Sequence, residues 1–220
     1  YARRFGAPAK PERGATPRTI RAQTLRPYIV PAARRFFPAD RGGGLRQRKG
    51  SSMYGESAAT EPMQIEIASA TEDDIAGIQL AAAQSWRAAY AEIFTSDFIE
   101  SFVGRAYSTE SLRRVIHSTQ STFVVARSDG EIIGFSHAGY GPRGAELYRI
   151  YLRPAWWGSG VGDMLLTHTE AWLREEGYPG YGCYVHQRNA VGQRFYAKHH
   201  FVRVDVADEG DNDYLWKALV

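Results

Sequence analysis

The stretch Tyr151-Leu152-Arg153-Pro154-Ala155-Trp156-Trp157-Gly158-Ser159-Gly160-Val161-Gly162-Asp163 carries the most specific chemical signal in the chain. Three glycines alternate between a β-rich run that stops at a proline and a run with helical periodicity. Glycine admits positive φ and lets successive N–H groups approach a ligand with no side chain in the way; a helix N-terminus behind them adds positive charge. Such a turn suits a pyrophosphate, or it is a bare strand-to-helix connection. A Walker loop needs Lys-Ser/Thr after the last glycine, and Val161-Gly162-Asp163 supplies neither cation nor hydroxyl. A dinucleotide fingerprint places Gly-x-Gly-x-x-Gly in the first β-α unit, whereas Gly-x-Gly-x-Gly comes late here. The lone cysteine, Cys183, cannot close a disulfide or build a thiolate metal site. With His186 three residues on it could be a thiol nucleophile; the more ordinary reading is a small apolar strand residue.

The elements around the turn follow from periodicity and end signals. Residues 64–68 alternate as a strand, and Thr71 before Glu72, Asp73 and Asp74 caps a helix that runs to about Arg87. Helices are expected over 96–103, capped by Ser96, and over 109–117. Strands over 122–127 and 132–140 make a hairpin about Ser128-Asp129-Gly130, and a fourth strand covers 145–152. An amphipathic helix over 161–176 stops at Gly177, followed by a strand over 181–185, a helix over 189–199 and strands over 201–206 and 214–219. The order β α α α β β β α β α β β reads as an α/β fold (mixed α+β) with a mixed central sheet and helices on both faces.

On these residues the chain resembles the GCN5-related N-acetyltransferases (GNAT), whose acetyl-CoA motif has the form Arg/Gln-x-x-Gly-x-Gly/Ala. Trp157 through Gly162 match it, with Trp157 in place of the usual Arg or Gln. Residues 146–154 are similar to the family's fourth strand. Asn189 through Phe195-Tyr196 to Phe201 are similar to its Asn-x(n)-Phe-Tyr-x(n)-Phe segment, with His200-Phe201 where Gly-Phe is usual. The resemblance covers residues 63–220 and implies an acyl-CoA N-acyltransferase fold that carries acetyl-CoA as co-substrate and no metal. It implies that main-chain groups of Ile150 and Leu152 pair with pantetheine, and that Trp157, Gly158, Ser159, Gly160, Val161 and Gly162 hold the pyrophosphate. Asn189 contacts CoA, serves as a plain helix cap, or does both. Tyr196 protonates the leaving thiolate, or Phe195-Tyr196 are two core aromatics. Glu146 is the first candidate for the base; strand alternation puts it on the face of Tyr148, Ile150 and Leu152, and an ordinary strand carboxylate is the alternative. His137 is the next candidate base, or a satisfied structural histidine. Trp86, Tyr90 and Phe94, with Phe98 and Phe102, wall an acceptor cavity or form a core stripe at four-residue spacing. The implied activity is direct transfer of acetyl to a primary amine in a ternary complex. The rival is a non-catalytic acyl-CoA-binding regulatory protein of the same fold.

Composition divides the chain. In residues 1–52 thirteen basic side chains face only Glu12 and Asp40, whereas residues 63–220 hold twenty acids against fourteen bases, so the formal charge of +3 describes neither part. Rich in Arg, Pro and Gly without apolar periodicity, residues 1–62 read as an unfolded basic leader. It has three readings: translation of GC-rich sequence upstream of a start at Met53 or Met63, a targeting sequence, or a binding arm. Residues 63–220 form one transferase domain, whose acidity favours a cationic acceptor such as a polyamine, another small amine or a peptide N-terminus. A homodimer is compatible with the sequence and a nucleic-acid partner is not expected. No apolar run approaches the roughly 18 residues of a membrane span. Sparse cysteine fits a reducing, cytoplasmic setting.

Overall fold

The computed structural model describes residues 64–219; the leader expected over 1–62 lies outside them. Strand β1 (Ile65–Ser69) leads through a 3-10 turn (Glu72–Asp74) into α1 (Ile75–Tyr90), then α2 (Ser96–Ala106) and α3 (Thr109–Ile116). Strands β2 (Ser121–Ser128), β3 (Glu131–Gly141) and β4 (Gly144–Leu152) follow. Next come α4 (Val161–Glu175), β5 (Gly180–His186), α5 (Ala190–Lys198), β6 (Val202–Arg203) and β7 (Asn212–Ala218). The strands form one sheet in the order β1-β2-β3-β4-β5-β7-β6, antiparallel except where α4 carries the chain across from β4 to the parallel β5.

Local chemistry accounts for the boundaries. The Asp74 carboxylate accepts from the Thr71 amide at 2.8 Å and its hydroxyl at 3.0 Å, closing a capping box. The same carboxylate receives Arg127 from β2 at 2.8 Å, which pins the start of α1 to the sheet. Helix α2 is capped by Thr95, whose Oγ1 accepts from the Phe98 amide, and not by Ser96 as expected. Asp129 (φ 50°) and Gly130 (φ 78°) both take the left-handed conformation, the twist a two-residue hairpin needs. The strand expected over 201–206 shrinks to two residues. Arg203 is clasped by Asp205, Asp208 and Asp213, and the chain turns into a 3-10 segment at Asp205–Ala207.

Two apolar layers flank the sheet. On one face α1, α2 and α3 bury Ile78, Trp86, Phe102 and Leu112 against Phe123 and Phe135. On the other, Leu165, Leu166 and Leu173 of α4 and Tyr196 of α5 pack on Val124, Ala138, Tyr181 and Val185. Near its middle β4 carries a bulge: Leu147 opposes Ala138 and Arg149 opposes His137, which leaves Tyr148 as the extra residue.

Candidate active site

The bulge decides which side chains of β4 reach the site. Ahead of it, Ala145 and Leu147 face the α4 layer, so Glu146 faces the α1 side, as does Tyr148, whose ring packs on His137 4.9 Å away. Past it the phase inverts: Ile150 and Leu152 face the α4 layer and Tyr151 joins the α1 layer. Glu146 therefore shares a face with Tyr148 but not with Ile150 and Leu152. Unbroken alternation had put all four together, and one inserted residue reverses every side chain after it.

Beyond Glu146, which opposes Gly182, β4 and β5 part. Leu152 opposes Gly134 while the Arg153 amide donates to the Ile133 carbonyl at 2.8 Å. In an antiparallel ladder that pattern gives Arg149 and Tyr151 to β3 and turns the N–H and C=O of Ile150 and Leu152 toward β5, where they meet no strand. The gap opens into a cavity of about 390 Å³. It is lined by Ile150, Leu152, Trp157 and the glycines at 158, 160 and 162, and by Asn189, the cap of α5, with Gly192, Phe195 and Tyr196 of that helix. Ser85, Tyr90, Tyr148, Arg149 and Tyr184 line it as well.

The glycine turn is shaped for an anion. Gly158 (φ 78°) and Gly160 (φ 89°) are left-handed, and α4 starts at the next residue. Among the described residues nothing accepts from the amides of Gly158, Gly160, Gly162 and Asp163, so donors converge at a helix N-terminus without partners. At Gly162 the requirement is space: a Cβ would lie 3.0 Å from the Phe195 ring and 3.2 Å from Leu152 Cδ1. Trp157 lines the cavity and its indole Nε1 donates to the Leu152 carbonyl at 3.1 Å, tying the turn to the end of β4. Val161 is buried in the α4 layer and the Ser159 hydroxyl donates to the Trp156 carbonyl, so neither side chain faces the cavity. Positive charge at this end comes instead from Arg194 and Lys198 on α5, the latter paired with Asp163 at 2.6 Å.

The remaining sequence candidates divide. Asn189 both caps α5, its Oδ1 accepting from the Gly192 amide at 3.0 Å, and lines the cavity, where its Nδ2 donates to the Tyr90 hydroxyl at 3.1 Å. Tyr196 lines the cavity beside the Cys183 thiol, and burial holds its phenol well above its ordinary pKa, so it keeps its proton. Burial raises the Cys183 thiol as well; Cys183 faces the α4 layer while His186 packs against Phe94 on the other side, so no thiol–imidazole pair exists. Of Trp86, Tyr90 and Phe94 only Tyr90 reaches the cavity. Trp86 is 2% exposed, stacked between Tyr90 and Phe102, and Phe94 continues the stack toward Phe98.

Glu146 is 2% exposed, its Oε1 has no hydrogen-bond partner, and burial raises its carboxyl to about 7 against the pull of Arg143. It stands off the cavity wall, but Tyr148 on the wall feels its charge. His137 is buried between the rings of Phe123 and Tyr148 with neither nitrogen bonded, and burial drives it well below its ordinary pKa, which leaves it neutral and away from the cavity. Sequence reasoning missed Arg149, Tyr184 and Arg194 on the wall. Tyr184 was signalled only by strand parity, and Arg149 was hidden by the bulge.

The chain is similar in sequence and in fold to known proteins. The sequence model of the acetyltransferase (GNAT) family matches residues 84–201. A spermidine N(1)-acetyltransferase from Thermoplasma acidophilum is 34% identical over 157 residues, which are 70% of this chain and 96% of that protein. The crystal structure of the PaiA N-acetyltransferase from the same organism, in complex with coenzyme A, superposes with a TM-score of 0.68 at 31% identity over 71% of this chain and all of that one. An acetyltransferase of the GNAT family from Staphylococcus aureus shares the fold at a TM-score of 0.60 and 13% identity, covering 71% of this chain.

Proposed function

The chain belongs to the acetyltransferase (GNAT) family, and from that premise we propose that it transfers acetyl from acetyl-CoA to a primary amine of a small cationic molecule, of which a polyamine is the leading case. The observation that carries this reading is the meeting, in one cavity, of unpartnered cradle amides, an edge of β4 that no strand pairs and the Tyr196 phenol. The cradle suits the pyrophosphate and the edge suits the amides of pantetheine, which brings the thioester to the gap between β4 and β5. The similarity to a spermidine acetyltransferase supports the cationic acceptor.

In the transfer the amine nitrogen attacks the thioester carbonyl carbon and the C–S bond breaks, so the amine gives up one proton and the thiolate takes one. Glu146, near 7, accepts the first through Tyr148 or a water, since it does not touch the cavity itself. Tyr196, protonated throughout the neutral range, donates to the sulfur as charge develops there. The single cysteine, free and buried, fits a reducing compartment such as the cytoplasm. A homodimer is compatible with this reading.

Replacing Tyr196 by Phe tests the assignment. We expect kcat to fall at least about tenfold, and by about a hundredfold if Tyr196 contributes as a general acid usually does, with acetyl-CoA affinity by calorimetry unchanged. Unchanged kcat would remove Tyr196 from the mechanism.

A further inference from the structure

Joined to the cavity through Tyr184 is a cluster whose Arg143, Glu209 and Tyr214 take no part in the transfer chemistry. Tyr184 on β5 lines the cavity, and its hydroxyl donates to Glu209 Oε1 at 2.9 Å. The same hydroxyl accepts from Arg143 Nε at 3.0 Å. The Arg143 guanidinium stands 3.9 Å from Glu209 Oε1 and 5.6 Å from the centre of the Tyr214 ring. Behind this group the buried Oε1 of Glu146 has no hydrogen-bond partner, and the charges of Arg143 and Glu209 both act on that carboxyl.

A carboxylate, a phenol oxygen and an aromatic face together are what a protonated amine needs. Arg143 meets them from outside. It belongs to the two-residue turn between β3 and β4, next to Gly144 at φ 110°, and its side chain is 43% exposed. It can therefore leave without opening the core.

We infer that Glu209, Tyr184 and Tyr214 form a subsite for a second ammonium group of the acceptor, and that Arg143 is a built-in cation that must yield it. The inference rests on the amine-acetyltransferase reading and narrows its substrate class to diamines and polyamines: one amine reaches the thioester, and the other takes the place of the guanidinium. Glu209 and Arg143 then have opposite effects on the same substrates. Monoamines are indifferent to both, because they have no second cation to place.

The test compares butylamine, putrescine and spermidine as acceptors for the full chain and for Arg143→Ala and Glu209→Gln. The readout is the ratio of the diamine KM to the monoamine KM, since any effect of Arg143 on the Glu146 carboxyl acts on all acceptors alike. Arg143→Ala should lower that ratio by about two- to fivefold, the range expected for one exposed ion pair, and Glu209→Gln should raise it by a similar factor. A ratio unmoved in Arg143→Ala, or moved upward as in Glu209→Gln, overturns the inference, because Arg143 would then help to hold the acceptor. If butylamine is acetylated and the ratios do not move, only this subsite falls; if the unaltered chain acetylates no amine, the amine-transferase reading falls and the subsite with it.

Discussion

Glu146 shows how one side chain acquires a role from its surroundings. A carboxyl with an ordinary value near 4.5 would be ionised and weakly basic at neutral pH; burial brings it to about 7, where it exchanges a proton within the working range. Acetyl transfer, followed as kcat/KM for the amine, should therefore rise through about pH 7. Glu146→Gln should abolish that limb and lower the plateau by about a hundredfold, in line with loss of a general base. A pH limb surviving in the variant would assign the titration to another group. Glu146 and Tyr196 were legible as candidates because they fall at positions that match the N-acetyltransferases the sequence resembles, with strand alternation as a further reason for Glu146. The sequence did not show which face Glu146 occupies, because nothing in Leu147-Tyr148-Arg149 announces a bulge; the extra residue is visible only against the partner strand. The aromatic spacing of Trp86, Tyr90 and Phe94 was equally ambiguous, since a helix facing a core and a helix facing a cavity share one period. Only Tyr90 turned out to reach the cavity.

Among the elements, the strand–turn–helix unit from β4 to α4 holds the cofactor-facing geometry, and its glycines do different jobs. Gly160 needs its positive φ and sits beside open space, so an aspartate there would be strained but not crushed. Its carboxylate would instead meet the ligand's phosphates. Gly160→Asp should weaken acetyl-CoA binding by more than about a hundredfold in calorimetry while the protein stays folded, as expected when an anion-binding helix end is given a negative charge. Normal affinity in that folded variant would refute the cradle. Gly182 works by close packing, because a Cβ there would lie 2.0 Å from the Tyr214 hydroxyl. Gly182→Ala should push Tyr214 aside and cost about 1–3 kcal/mol in denaturant unfolding, the usual range for overpacking. Helix and strand existence was legible because apolar periods and capping residues are local. The short β6 was not, because the three aspartates that clasp Arg203 compete with strand pairing through contacts made only in the folded chain.

Across the whole molecule, buried carboxyls set opposing limits on stability. Asp74 and Glu170 lie below their ordinary values: burial raises both, but the Thr71 and Arg127 bonds to Asp74 and the Lys217 and Tyr181 bonds to Glu170 outweigh it. Their contribution is present above the unfolded carboxylate range and is lost as pH falls below that range through their lower folded values. Glu146 runs the other way: its folded value exceeds the unfolded one, so the stability it contributes below about 4.5 is lost as pH rises through about 7. His137, held neutral by burial, opposes this on the acid side, because the fold loses stability as pH falls below the ordinary imidazole value. Glu146→Gln should therefore make thermal stability decline less between about pH 4.5 and 7 than in the unaltered chain, while leaving the acid limb of Asp74 and Glu170. A decline unchanged in the variant would place its origin elsewhere. The acidic charge of residues 63–220 was readable from composition, whereas the transferase reading came from the motifs around the glycine turn and α5. The most direct test is free-thiol release from acetyl-CoA on addition of spermidine, putrescine or butylamine. Amine-dependent release that disappears in Gly160→Asp is the predicted result; no release with any amine, from a protein that still binds acetyl-CoA, would contradict it.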